Sequence, residues 1–157
     1  MALEKSMMAP DFKAPIEADN TLDLKDTRGK WVILYFYPKD NTSGCTTEAC
    51  DFRDNMERIT QEDAIVIGVS PDSVKSHDNF IAKHDLNFHL VSDPDKEICN
   101  AYGVIGEKSM YGKKYMGLFR TTFIINPDGE ISHVFNKVRA KGHVDKVIEK
   151  LKELKAK

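Results

Sequence analysis

Cysteine is scarce in this chain, with three in 157 residues, at positions 45, 50 and 99. An odd, small count in a chain with no evident secretory leader argues against a framework of structural disulfides and toward a reactive or redox thiol. Long apolar runs are also missing. The longest, Trp31 to Tyr37, falls well short of the roughly 18–20 residues a membrane helix needs. Residues 1–10 carry Glu4 and Lys5 and hold no apolar run, so neither a signal peptide nor a membrane is expected and the chain is read as cytoplasmic. Excess charge is absent too: 23 basic against 25 acidic residues gives a net charge of -2. That balance offers no footprint for nucleic acid. The five histidines are scattered, so no metal site is expected. No Gly-x-Gly-x-x-Gly or Gly-x-x-x-x-Gly-Lys occurs, which removes nucleotide binding. Repeats, low-complexity tracts and dividing linkers are lacking, so residues 1–157 read as one domain.

What is present is a succession of short, well-bounded elements. Ala9 to Phe12 and the alternating Leu22-Asp23-Leu24 read as an N-terminal edge or hairpin extension. Trp31 to Tyr37 is too short for a helix of its own and reads as a strand buried on both faces, stopped by Pro38. A polar loop leads into a helix expected over 45–59, with Ala49, Phe52, Met56 and Ile59 at helical spacing. A second buried strand spans 64–69, and a helix capped by Asp72 or Ser73 runs to about His84. A short strand over 88–91 and a short helix over 95–102 follow. The segment 103–117 holds four glycines and reads as an irregular loop or extension. A hairpin then joins 121–125 to 130–137 around Asn126-Pro127-Asp128-Gly129. Val144, Val147, Ile148, Leu151 and Leu154 mark one stripe of a final helix. The order implies an α/β fold: a central mixed sheet flanked by helices, of which the thioredoxin-like fold is one form.

Chemistry concentrates between Tyr35 and Cys50. Cys45 falls in the first turn of its helix, where free N–H groups and the dipole favour an anion, hence a thiolate. Ser43, Gly44, Thr46 and Thr47 around it are small and polar, a poor core environment. Cys99, beside Ile98 on a short helix, reads instead as a buried apolar residue. Cys50 lies five residues beyond Cys45. In an intact helix their Cα atoms stand about 8.6 Å apart. A disulfide needs less than about 7 Å. The two can bond only if the first turns unwind.

Pro38, Thr42 and Cys45, spaced Pro-x-x-x-Thr-x-x-Cys, resemble the peroxiredoxin active-site motif. The run Gly44-Cys45-Thr46-Thr47-Glu48-Ala49-Cys50 resembles the bacterioferritin comigratory protein (PrxQ) subfamily. Ala9-Pro10-Asp11-Phe12, Ser92-Asp93-Pro94, Tyr102-Gly103-Val104 and Arg120-Thr121-Thr122-Phe123 extend the likeness along most of the chain. The resemblance implies a thioredoxin-like fold and a thiol peroxidase without a cofactor. Cys45 would be the peroxidatic cysteine, oxidised to a sulfenic acid, and Cys50 the resolving one. Thr42 and Arg120 would bind and polarise the peroxide, with Pro38 shielding the pocket and Gly44 leaving room for substrate. Glu48 would help hold the site or act only as a favourable first-turn acid. Thioredoxin or a similar dithiol would be the reductant and the monomer the working form. Two alternatives stand beside it. A thioredoxin-like reductase would want Cys-x-x-Cys, whereas Glu48 occupies the third position after Cys45. It would also want a proline where Thr121 stands. A non-enzymatic redox switch could use the same two cysteines.

Overall fold

The computed structural model describes residues 3–157. Its strands and helices are, in chain order, β1 (Lys13–Pro15), β2 (Thr21–Asp23), β3 (Trp31–Phe36), α1 (Ser43–Asp54), α2 (Met56–Gln61), β4 (Ala64–Ser70), α3 (Val74–His84), β5 (His89–Ser92), α4 (Glu97–Ala101), β6 (Ile105–Met110), β7 (Lys113–Leu118), β8 (Thr121–Ile125), β9 (Ile131–Phe135) and α5 (His143–Lys155). Five strands form the central sheet in the order β5-β4-β3-β8-β9. β3, β4 and β5 run parallel through the crossovers that carry α1 to α3, while β8 pairs antiparallel with β3 and β9 antiparallel with β8. The expected mixed sheet with an N-terminal hairpin, β1–β2, is the observed one.

The apolar run of β3 is divided by the two-residue period of a strand. Val32, Leu34 and Phe36 enter one core with Leu24, Ile98, Cys99 and Tyr102. Ile33, Tyr35 and Tyr37 enter the other with Cys45, Phe52, Phe80, Val147 and Leu151. Each face of the sheet therefore has its own hydrophobic layer, one beneath α1, α2, α3 and α5, the other beneath α4 and the N-terminal segment. A fully buried side chain such as Phe52 contributes about 1.5–3 kcal/mol.

Two expectations need correction. The helix over 45–59 is two helices, broken at Asn55 (φ -109°, ψ 11°). The Asn55 side chain donates to the Asp51 carbonyl at 2.8 Å, the local competition that ends helices at asparagine. Segment 103–117 is no irregular loop. Its β6 and β7 pair in register from Ile105↔Leu118 to Met110↔Lys113. Tyr111 and Gly112 turn it with φ of 51° and 77°, the two positive values a tight type I′ turn requires. Ser73 does cap α3, accepting from the Ser76 N–H at 3.1 Å. Among the described residues, no helix is long and apolar enough to cross a membrane.

Candidate active site

The antiparallel register sets the site. Phe36 pairs with Thr121, so Arg120, just before β8, falls beside the end of β3, where the chain turns toward α1. Thr42 is the extended residue before α1, and Cys45 lies in its first turn. There the Arg120 Nη1 donates to both the Cys45 Sγ, at 3.2 Å, and the Glu48 Oε1, at 3.0 Å. One guanidinium nitrogen thus serves two acidic groups one helical turn apart. Cys45 is buried, Glu48 fully so, and Arg120 part-buried.

Gly44 explains how the arginine comes so close. A Cβ at that position would stand 3.1 Å from the Arg120 Nη2. The guanidinium thus lies against the open side of Gly44. Thr42 is exposed, and its hydroxyl donates to the Lys39 carbonyl at 2.9 Å. Its proton is thereby committed, leaving its lone pairs to accept. Pro38 is half-buried at the mouth of the loop. Cys50 is half-buried on the same intact helix, and all three cysteines are free thiols.

The electrostatics follow from burial. Burial pushes the Glu48 carboxyl up to about 7, with Arg120 working against it. Burial works against the charge of Arg120, yet Cys45 and Glu48 raise its pKa further above the usual arginine value. Two further residues complete the site, and scattered spacing gave no sign of either. His143, at the start of α5, lies 2.8 Å from the Thr122 Oγ1 and 3.9 Å from the Glu48 Oε2. Burial, aided by Lys146 and Arg120, lowers it to about 4, so the contact with Glu48 is not an ion pair at neutral pH. Tyr35 lies beneath the cluster, its phenol raised far above the usual value by burial and then by Glu48 and Cys45. The Tyr35 hydroxyl and the Glu48 Oε2 are both buried without a hydrogen-bond partner among the described residues.

Cys99 is in the other core. It is fully buried, and its backbone N–H donates to the Asp93 Oδ2 at 2.8 Å. Burial first and Asp93 second push its thiol well up.

Sheet and site together define a thiol peroxidase on a thioredoxin-like scaffold. Residues 6–134 match the AhpC/TSA family. Peroxiredoxin Bcp of Bacillus subtilis is 43% identical over 157 residues, covering 100% of both chains. Peroxiredoxin Bcp of Escherichia coli K12 is 42% identical over 151 residues, 96% of this chain and 97% of that one. Among solved structures, the Xanthomonas campestris bacterioferritin comigratory protein, studied for its alkyl peroxide reduction activity, superposes with a TM-score of 0.87 at 43% identity over 90% of each chain. A cysteine-to-serine mutant of Peroxiredoxin Q from the same organism gives 0.90 at 41% identity, over 96% of this chain and 99% of that one. The chain belongs to the AhpC/TSA family, within its Bcp-type peroxiredoxins, and is a thiol-dependent peroxidase.

Proposed function

We propose that Cys45 is the residue that reduces peroxide and Cys50 the one that resolves it. The observation that carries this reading is the 3.2 Å hydrogen bond from Arg120 to the Cys45 sulfur at a helix N-terminus. The Cys45 thiolate attacks the terminal peroxide oxygen. An S–O bond forms, the O–O bond breaks, and the departing oxygen leaves with a proton as water or an alcohol. Arg120 and the first-turn N–H groups stabilise the negative charge as it moves from sulfur to the leaving oxygen. Thr42 accepts a hydrogen bond from the peroxide O–H and orients it, while Pro38 shields the loop. Glu48 shares the Arg120 guanidinium and fixes its orientation.

The sulfenic acid then bonds to Cys50. The S–S bond forms as the S–O bond breaks, and hydroxide leaves as water after protonation. Intact α1 holds the two Cα atoms about 8.6 Å apart, so its first turns unwind for this step. A dithiol protein of the thioredoxin type restores both thiols by exchange, and the enzyme works as a cytoplasmic monomer on hydrogen peroxide and organic hydroperoxides. A Cys-x-x-Cys reductase is disfavoured, because the third residue after Cys45 is the buried Glu48, bonded to Arg120.

Peptide mass spectrometry after one equivalent of hydrogen peroxide tests the assignment. The expected product is a Cys45–Cys50 disulfide, absent in Cys45→Ser, with a dimedone adduct on Cys45 in Cys50→Ser. Unreduced peroxide consumption by Cys45→Ser would overturn it.

A further inference from the structure

The loop that delivers Thr42 and Cys45 is exposed at Lys39, Asn41, Thr42 and Ser43, yet Asp40 in its middle is buried. Its carboxylate is the hub of a network that the peroxide chemistry does not touch. The Tyr37 hydroxyl donates to Oδ1 at 2.6 Å, and the Ser76 hydroxyl donates to Oδ2 at 2.8 Å. The His77 Nδ1 lies 2.7 Å from that same Oδ2. The backbone N–H of Asp40 donates to the Asp72 Oδ2 at 2.6 Å.

His77 is fully buried. Its Nε2 lies 3.0 Å from the Val91 carbonyl oxygen. A carbonyl only accepts, so Nε2 carries a hydrogen. One further proton is then held between Nδ1 and Asp40. Charge and proton are shared inside the protein, where an unpaired carboxylate would be costly. The bonds from His77, Tyr37 and Ser76 hold the Asp40 carboxyl below its ordinary value, although burial alone would raise it.

The network ties the active-site loop to four places: the end of β3 through Tyr37, the turn after β4 through Asp72, the first turn of α3 through Ser76 and His77, and β5 through Val91. The next residue, Asn41, has φ of 61°, and α1 begins two residues later. The loop is therefore anchored immediately before the segment that must unwind.

We propose that Asp40 and His77 are positioning residues for peroxide reduction: a buried, proton-sharing pair that clamps the loop ahead of Cys45 and biases α1 toward its wound, peroxide-reactive form. The inference rests on the roles given to Cys45 and Cys50 above. Oxidation of Cys45 requires the wound helix, and disulfide formation requires the unwound one. Loosening the clamp therefore acts on the two steps with opposite sign, which a general loss of stability does not do.

The test is rapid mixing of the whole reduced chain with hydrogen peroxide, followed by acid quench, alkylation and mass spectrometry. It yields the rate of sulfenic acid formation on Cys45 and the rate of disulfide formation. Asp40→Asn removes the charge, His77→Phe removes both donors, and His77→Gln keeps one donor as the conservative variant if Phe impairs folding. Ile131→Val, a trimmed core residue on the opposite face, serves as the stability control. The ratio of the disulfide rate to the oxidation rate should rise by about tenfold or more in Asp40→Asn and His77→Phe, since small misplacements at a reacting centre carry effects of this size. It should rise less in His77→Gln and stay unchanged in Ile131→Val. An unchanged ratio in the clamp variants that fold overturns the proposal. Sulfenic acid on a cysteine other than Cys45 in the unaltered chain would instead overturn the reading beneath it.

Discussion

Cys45 and Cys99 occupy similar local positions on opposite faces of the same sheet. Each is buried, and each lies in the first turn of a helix. At α1 the sulfur meets the guanidinium of Arg120. At α4 the helix start is already taken by the Asp93 carboxylate, which accepts from the N–H groups of Ile98 and Cys99. On the proposed reading, the N-terminal position of a helix is not sufficient for a reactive thiol. What separates the two is the sign of the nearest side-chain charge: a positive one from a distant part of the chain at Cys45, and a negative one from just before the helix at Cys99.

The contrast can be broken most forcefully at Arg120. Arg120→Lys keeps the charge but places it on a compact, flexible ammonium in place of the pre-organised guanidinium nitrogen that reaches sulfur and carboxylate together. The second-order rate of Cys45 oxidation, followed by stopped flow, should fall by about 10²–10³, the usual effect of removing a preorganised donor. A fall under about fivefold would place the arginine outside the reacting cluster.

Glu48→Gln sharpens the comparison through pH. A carboxyl raised from 4.5 to about 7 contributes stability that is present below its ordinary value and lost as pH rises through about 7. Glutamine has no such loss. The difference in Tm between variant and parent should therefore grow in favour of the variant between pH 5 and pH 8, by a few degrees, in scanning fluorimetry (roughly). His143 has the opposite slope: its stability is present above the ordinary imidazole range and fades as pH falls toward about 4. Parallel curves for the two proteins would show that Glu48 does not titrate in this range.

The smallest effect belongs to Cys99→Ser. Peroxidase rates should stay within about twofold, as for changes remote from the reacting groups. Iodoacetamide applied to the native reduced chain should label Cys45 well before Cys99. Equal labelling would remove the distinction between the two sites.

Much of this was legible in sequence because local chemistry decided it. β3 and β4 are continuous apolar runs and Ser73 is a strong cap, while the Pro38–Thr42–Cys45 spacing was legible through its resemblance to the peroxiredoxin motif. The break at Asn55 was hidden because Phe52, Met56 and Ile59 keep an apolar stripe running across it. The β6–β7 hairpin was hidden for the opposite reason. It lies outside the central sheet with much of both strands exposed, so Glu107, Lys108, Lys113 and Lys114 blur the alternation that marks a half-buried strand. His143 and Tyr35 reach the site only through tertiary packing, one from the start of the last helix and one from near the end of β3. No spacing rule relates them to Cys45.

The break at Asn55 has a bearing on how far a structural change can travel. Helical hydrogen bonding is cooperative along an uninterrupted segment. A helix continuous from Ser43 to Gln61 would transmit fraying at Cys45 toward the strand that follows. Here α1 ends at Asp54, its last turn tethered by Arg53 to the His84 carbonyl and by the Asn87 amide to the Arg53 carbonyl. Beyond the break, α2 packs on β4 as a separate unit. On the proposed cycle, the interruption works as a firebreak that would confine the unwinding to α1 and leave the sheet undisturbed.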